Sequence, residues 1–247
     1  MIPLKDEKDL EYLRSAGKIL SAVIREVQKI IKPGLKTIEI DSFAEELIRQ
    51  KGALPAFKGY KGFPATACVS VNEEIVHGIP SQRKLIEGDI VSIDLGVNYR
   101  GYFSDAAVSV PVGKIAKEKA DLLKAAQDAL EAGIKEALPG KHLTDISHTI
   151  QSLVEARGFS VVRQFVGHGI GLNLHEDPEI PNFGPPGKGP VLKEGMVLAI
   201  EPMINLGTWE ARFSANGWTA ITADKLASAH FEHTVALTGK GNEVLTA

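Results

Sequence analysis

The ten residues Leu85-Ile86-Glu87-Gly88-Asp89-Ile90-Val91-Ser92-Ile93-Asp94 return 107 positions later as Leu192-Lys193-Glu194-Gly195-Met196-Val197-Leu198-Ala199-Ile200-Glu201. Each copy reads as a Leu-x-Glu-Gly turn, an apolar strand and a carboxylate at the tenth position. Side chains alternate faces along a strand, so Asp94 shares its face with the small Ser92 and Glu201 with the small Ala199. Val91 and Ile93 in one copy, and Leu198 and Ile200 in the other, take the opposite face and read as core. An unpaired charge on a buried strand is expensive, so an acid facing a gap there calls for a counter-charge. Two such acids in corresponding places point to one site assembled from two halves.

The surrounding chain repeats as well. Apolar residues at helical spacing mark a helix over residues 7–31, ended by Pro33-Gly34, and a second over 38–51, stopped at Gly52. The pair recurs over 118–138, ended by Pro139-Gly140, and over 144–157, stopped at Gly158. The correspondence predicts an internal repeat of residues 30–110 with 136–237 inside a single domain of 1–247. Two similar α/β halves (α+β in class) folded against each other place a site at their seam.

β-rich runs over 67–71 and 75–80 precede a strand over 90–97, the connection Asn98-Tyr99-Arg100-Gly101 and a strand over 102–110. A regular hairpin centred between Tyr99 and Arg100 sets Asp94 directly opposite Asp105, with Cβ atoms about 4.5–5.5 Å apart. A bulge would shift this by one residue. Like charges that close require a cation or a proton between them. In the second half Glu232 is the candidate partner of Glu201, on a final strand through 229–234. It follows an insert of about twenty residues, by comparison with the first half, that holds Trp209, Phe213 and Trp218. Residues 181–190 form a Pro/Gly-rich loop on the rim.

Asp94, Asp105, Glu201 and Glu232 thus converge with the histidine of Gly167-His168-Gly169-Ile170-Gly171. Two divalent cations would neutralise four carboxylates, and oxygen donors with one imidazole suit Mn, Fe, Co or Zn ions. The alternating glycines let backbone pack beside His168 and argue against a helix. A phosphate cradle is disfavoured, because no lysine or helix start follows. Taken singly, His77 and His175 read as loop residues, and His142, His148, His230 and His233 as structural. Tyr60, Phe63 and Trp218 read as core or rim on their own.

Charge and composition narrow the class. A formal net charge of −3 without a basic run excludes a general nucleic-acid binder. The single cysteine, Cys68, excludes an internal disulfide and a four-cysteine zinc module, and fits a reducing compartment. The segment from Met1 to Lys8 is charged where a signal peptide would be apolar. No apolar run approaches the roughly 20 residues that cross a bilayer. The expectation is a cytoplasmic monomer with no DNA or membrane partner.

Together with Leu174-His175-Glu176-Asp177-Pro178, Ala199-Ile200-Glu201-Pro202, Phe231-Glu232-His233-Thr234, Val76-His77-Gly78-Ile79-Pro80 and Ile93-Asp94, the Gly-His-Gly segment resembles type I methionine aminopeptidases. The resemblance covers nearly the whole chain and is to the minimal bacterial form. It implies the pita-bread fold, two pseudo-twofold-related halves with a curved antiparallel sheet covered by helices, and one catalytic domain around two divalent metal ions. It implies hydrolytic removal of the initiator methionine from nascent polypeptides, at the ribosome or free, with a small second residue preferred. Asp94, Asp105, His168, Glu201 and Glu232 are the implied metal ligands. Asp105 and Glu232 would bridge, Asp94 would serve one ion, and His168 with Glu201 the other. Glu201 is also the implied proton acceptor, His175 the group that steadies the oxyanion, and His77 a substrate contact beside the scissile amide. Tyr60, Phe63, Cys68, Leu174 and Trp218 would receive the methionine side chain. Phe57 and Leu174 stand where the commonest bacterial members carry a cysteine and a phenylalanine. The alternatives are an Xaa-Pro aminopeptidase or prolidase-like peptidase, and a metal-free binding protein on the same scaffold. The first carries a large N-terminal domain that has no counterpart here; the second typically loses ligands that this chain keeps.

Overall fold

The computed structural model describes residues 2–247; Met1, which opens the charged leading segment, lies outside them. The first half runs α1 (Glu7–Ile30), α2 (Thr37–Gln50), β1 (Leu54–Pro55), β2 (Ala67–Val71), β3 (Glu74–Val76), β4 (Ile90–Tyr99) and β5 (Tyr102–Pro111). The second opens on α3 (Lys117–Glu136), α4 (Leu143–Ala156), β6 (Ser160–Val161), β7 (Gly167–Gly169) and β8 (Glu176–Ile180). It continues through β9 (Val197–Ile200), β10 (Met203–Asn205), β11 (Ala211–Phe213), β12 (Ala220–Thr222), β13 (Ser228–His230), β14 (His233–Thr238) and β15 (Gly241–Val244). Among the described residues no helix is long and apolar enough to cross a membrane.

Corresponding helices begin alike. The Glu39 carboxylate accepts from the Lys36 N–H (2.8 Å) at the start of α2, and Asp145 accepts from the His142 N–H (2.9 Å) at the start of α4. Each satisfies a donor that a helix N-terminus otherwise leaves bare. The turns before them are tied alike too. Gly34 donates to the Leu85 carbonyl (2.8 Å) and Gly140 to that of Leu192 (2.9 Å). Both acceptors are the first residue of the repeated phrase.

Each half has its own core on the outer face of its sheet. Leu20, Val23, Ile40 and Ile48 of α1 and α2 pack with Val91, Ile93 and Leu95 of β4. Leu122, Leu130, Ile146 and Ile150 of α3 and α4 pack with Leu198 and Ile200 of β9. This is the face assignment that strand parity predicts, and it turns Asp94 and Glu201 away from the helices. A third cluster, including Leu10, Leu13, Phe63, Cys68, Leu174, Ala199 and Ala236, gathers residues of both halves. The sheets meet where Glu232 N–H donates to the Ala107 carbonyl (2.9 Å) and Ala107 N–H to that of Glu232 (3.4 Å).

Two strand expectations are corrected. Asp94 does not face Asp105: Tyr99 pairs with Tyr102, so Asp94 faces Ala107 and Asp105 faces Gly96. The connection is the two-residue turn Arg100-Gly101, both with positive φ (55° and 89°). A tight turn of that kind matches strand twist, and moving its centre by one residue slides the register by two. The acids therefore sit diagonally on one face, with Cα atoms about 7–8 Å apart. The strand expected over 229–234 is also interrupted. Phe231 and Glu232 fall between β13 and β14, opposite Glu201 and Pro202 between β9 and β10. Pro202 has no N–H for a ladder. The register is the same on both sides of this break, so Glu201 faces Glu232. The directly opposed acids belong to the second half. The insert there forms β11 and β12, and β12 pairs with β3 of the first half.

Candidate active site

Four carboxylates and one imidazole reach the seam from five places. Asp94 comes from β4, Asp105 from β5, His168 from β7, and Glu201 and Glu232 from the paired breaks. Asp105, His168 and Glu232 each bring a ligand atom within 4.8 Å of the others. His168 Nε2 lies 3.6 Å from Glu201 Oε1 and 3.9 Å from Asp105 Oδ2. Its Nδ1 is 2.9 Å from the Gly169 carbonyl oxygen. A carbonyl only accepts, so Nδ1 carries the proton and the Nε2 lone pair faces the acids. The flanking glycines make this packing possible. A Cβ on Gly167 would stand 2.4 Å from the Ala199 oxygen, and one on Gly169 2.1 Å from the Asp177 oxygen.

Asp94 Oδ1, Asp105 Oδ1 and Glu232 Oε1 are buried without a hydrogen-bond partner. Burial pushes Asp94 and Glu201 each up to about 7. Burial and repulsion from neighbouring acids hold Asp105 and Glu232 well above the usual carboxylate range. Keeping all four ionised near neutral pH requires compensating positive charge. Buried, unpartnered oxygens with one lone-pair nitrogen are a donor set for hard or borderline divalent cations. Cys68 pairs with Asp94 across β2 and β4, but burial and the nearby acids push its thiol well up. It stays protonated, which makes it a poor ligand.

Beside the acids opens a cavity of about 300 Å³, at the small end of small-molecule sites. All twelve residues singled out from the sequence line it: Asp94, Asp105, His168, Glu201, Glu232, His77, His175, Tyr60, Phe63, Cys68, Leu174 and Trp218. Phe63 meets Trp218 edge-on with centroids 5.4 Å apart, and Leu174 closes a side at 2 % exposure. His77 adopts φ 59° and packs edge-on against Phe165 at 5.7 Å. Burial pushes its imidazole down to about 4. The His175 ring stacks on Tyr60 and lies 4.2 Å from that of His168. Its Nδ1 is 3.0 Å from Tyr60 Oη. Burial first, then His168, Lys61 and His77, push His175 down to about 3. Both imidazoles are neutral at pH 7.

The sequence reading missed part of the lining. Gln164, Phe165 and Val166, which lead into β7, and Met203 beyond the Glu201 break all face the cavity. It also set His230 aside as structural, whereas Glu201, His230 and Glu232 bring ligand atoms within 4.8 Å of one another. Period two carried that signal: His230 is two residues from Glu232 and so shares its face.

Residues 11–239 match the family model described as metallopeptidase family M24. Methionine aminopeptidase 1 of Bacillus subtilis is 51% identical over 246 residues, covering 100% of this chain and 99% of that protein. Methionine aminopeptidase of Clostridium acetobutylicum is 48% identical, with coverage of 100% and 99%. The crystal structure of methionine aminopeptidase from Thermotoga maritima superposes with a TM-score of 0.98 at 46% identity, over 100% of this chain and 99% of that one. Prolidase from Pyrococcus furiosus gives 0.81 at 26% identity, over 99% of this chain but only 65% of its own.

Proposed function

The chain belongs to metallopeptidase family M24, and from that premise we infer that it is a methionine aminopeptidase, hydrolysing the peptide bond after an N-terminal methionine. The observation that carries this reading is the meeting of acids from both halves with His168 Nε2, three of their buried oxygens unpartnered, beside a cavity walled by Phe63, Leu174 and Trp218. Its substrates are the N-termini of nascent proteins and peptides with a small second residue. The whole of 1–247 works as one catalytic domain, a cytoplasmic monomer meeting its substrates at the ribosome or free of it.

Asp94, Asp105, His168, Glu201 and Glu232 hold two divalent cations in this proposal, drawn from Mn, Fe, Co or Zn. Ions so held neutralise the acids, polarise a scissile carbonyl and make water a better nucleophile. The chain's own side chains do the rest. Glu201 takes the proton of the attacking water. The Tyr60 hydroxyl donates to His175 Nδ1, which leaves Nε2–H to meet the oxyanion. His77, kept neutral by burial, contacts the substrate beside the amide. The thioether of methionine lies against Phe63, Trp218 and the Cys68 thiol, contacts that suit a flexible, polarisable chain.

The test strips the protein of metal and restores Mn, Fe, Co or Zn ions separately. Turnover of Met-Ala-Ser only after an ion is restored is the expected result. Preferential turnover of an Xaa-Pro dipeptide would move the chain to the prolidase-like reading. Failure to bind any divalent ion near neutral pH would revive the metal-free binding protein.

A further inference from the structure

His230 has no role in the mechanism above, yet its place in the fold is that of a site residue. Asp105 faces Gly96, two positions beyond Asp94, and His230 faces Met203, two positions beyond Glu201. His230 is therefore the second-half counterpart of Asp105. The backbone around the two is held in matching fashion. Thr234 Oγ1 accepts from Asp105 N–H (3.0 Å) and donates to the Asp105 carbonyl (2.7 Å). Ser109 Oγ accepts from His230 N–H (2.9 Å) and donates to the His230 carbonyl (2.9 Å). Each half thus contributes a hydroxyl that fixes a site residue of the other.

The side chain is 2 % exposed, and Nε2 is buried without a hydrogen-bond partner. Glu201 Oε2 lies 3.4 Å from that nitrogen. The other oxygen of the same carboxylate, Oε1, faces His168 Nε2 at 3.6 Å. Glu201 is thus divided, with one oxygen on the ligand side and the other toward His230. A carboxylate that ligates through one oxygen in a dry site needs a donor on the second, and such outer donors fix the ligand's orientation.

We propose that His230 is a positioning residue for the metal site, its Nε2–H donating to Glu201 Oε2 so that Oε1 is presented to a divalent cation. The inference rests on the metal-site reading of the proposed function and extends it to a residue outside the five ligands. It predicts that a side chain with a donor of similar reach, such as glutamine, serves in place of the imidazole, whereas an apolar side chain of similar size does not.

The test titrates the metal-stripped full-length protein with Mn²⁺ alone by calorimetry, with thermal unfolding of the stripped forms as the folding control. His230→Leu is expected to weaken Mn²⁺ binding about 10- to 100-fold, the usual cost of losing an outer donor, and His230→Gln to restore most of it. Adding His230→Leu to Glu201→Gln should cost nothing further, because the two changes remove the same interaction. A full additional loss in the double variant would make His230 an independent ligand and overturn the proposal. Unchanged Mn²⁺ binding by His230→Leu, or a His230→Gln as weak as it, would overturn it too. If His230→Leu does not fold, His230→Asn takes its place, its shorter amide falling short of Glu201; wild-type affinity in that variant overturns the proposal. Wild-type protein that binds no Mn²⁺ would instead bring down the metal-site reading, and this inference with it.

Discussion

Asp105 and Glu232 each leave a buried oxygen without a protein partner, and that deficit is what a cation would relieve. Asp105→Asn or Glu232→Gln keeps the shape and removes the charge. Each is expected to lower turnover of a Met-Ala-type peptide by at least about 100-fold, more than an outer-shell change costs. Steady-state assay with saturating metal checks this, and full turnover by either variant would sink the dinuclear reading. Gly169 offers a test of packing alone. A methyl group there would meet the Asp177 carbonyl oxygen at 2.1 Å, so Gly169→Ala is expected to cost about 1–3 kcal/mol, as overpacking does, read as a lowered denaturation midpoint. The sequence announced both kinds of residue, Asp94 and Glu201 through their place in a repeated phrase, Asp105 and Glu232 as their expected strand partners, and the glycines through their alternation. His230 is passed over when read as a lone histidine, although its spacing of two from Glu232 puts the pair on one strand face whatever the register. The register adds that it faces Met203, two positions beyond Glu201.

The hairpins decide which acids meet. Sequence parity was enough to put Val91 and Ile93 on the helix side and Asp94 on the other, because alternation survives any register. Register itself was not legible. It depends on whether Asn98 to Gly101 closes as a four-residue loop or as the two-residue turn Arg100-Gly101, and both fit those residues. The break at Glu201-Pro202 is half legible: proline forbids a ladder bond, but nothing local says that Phe231 and Glu232 break opposite it. The same elements yield a prediction about the seam. Thr234 is fully buried and clamps the Asp105 peptide from the other half. Thr234→Val keeps the volume but strands a buried N–H and a carbonyl, at an expected cost of about 1–3 kcal/mol. Thr234→Ser should recover most of it. Chemical denaturation of the three proteins measures the difference, and a neutral Thr234→Val would mean that the clamp contributes no stability.

At the scale of the molecule, each half has its own core and a third apolar cluster spans both, but the seam also brings a cluster of acids together. Its stability must therefore depend on what neutralises those acids. Asp94 and Glu201 are raised to about 7 from unfolded values near 4. In metal-stripped protein the folded state holds more protons than the unfolded one between those limits. That contribution is full below about 4 and is lost as pH rises through about 7. His77 and His175, lowered to about 4 and about 3, act the other way. Their contribution is present above about 6.5 and is lost as pH falls towards their folded values. Divalent ions compete with the protons on the acids and leave the two buried imidazoles neutral. Metal binding should therefore release protons below pH 7, and its affinity should climb with pH until the acids are ionised. Ion at about 100 times its dissociation constant stabilises by about 2.7 kcal/mol. The gap in melting temperature between metal-loaded and stripped protein is thus expected to widen from pH 5 to pH 7.5, because at fixed total metal the ratio of ion to dissociation constant grows. The contribution of His77 and His175 is common to both forms and cancels in the difference, so the gap reports the metal-holding residues. Scanning calorimetry at matched metal concentration reads it directly. A gap independent of pH across that window would mean that the seam carboxylates are not the groups that bind the ion.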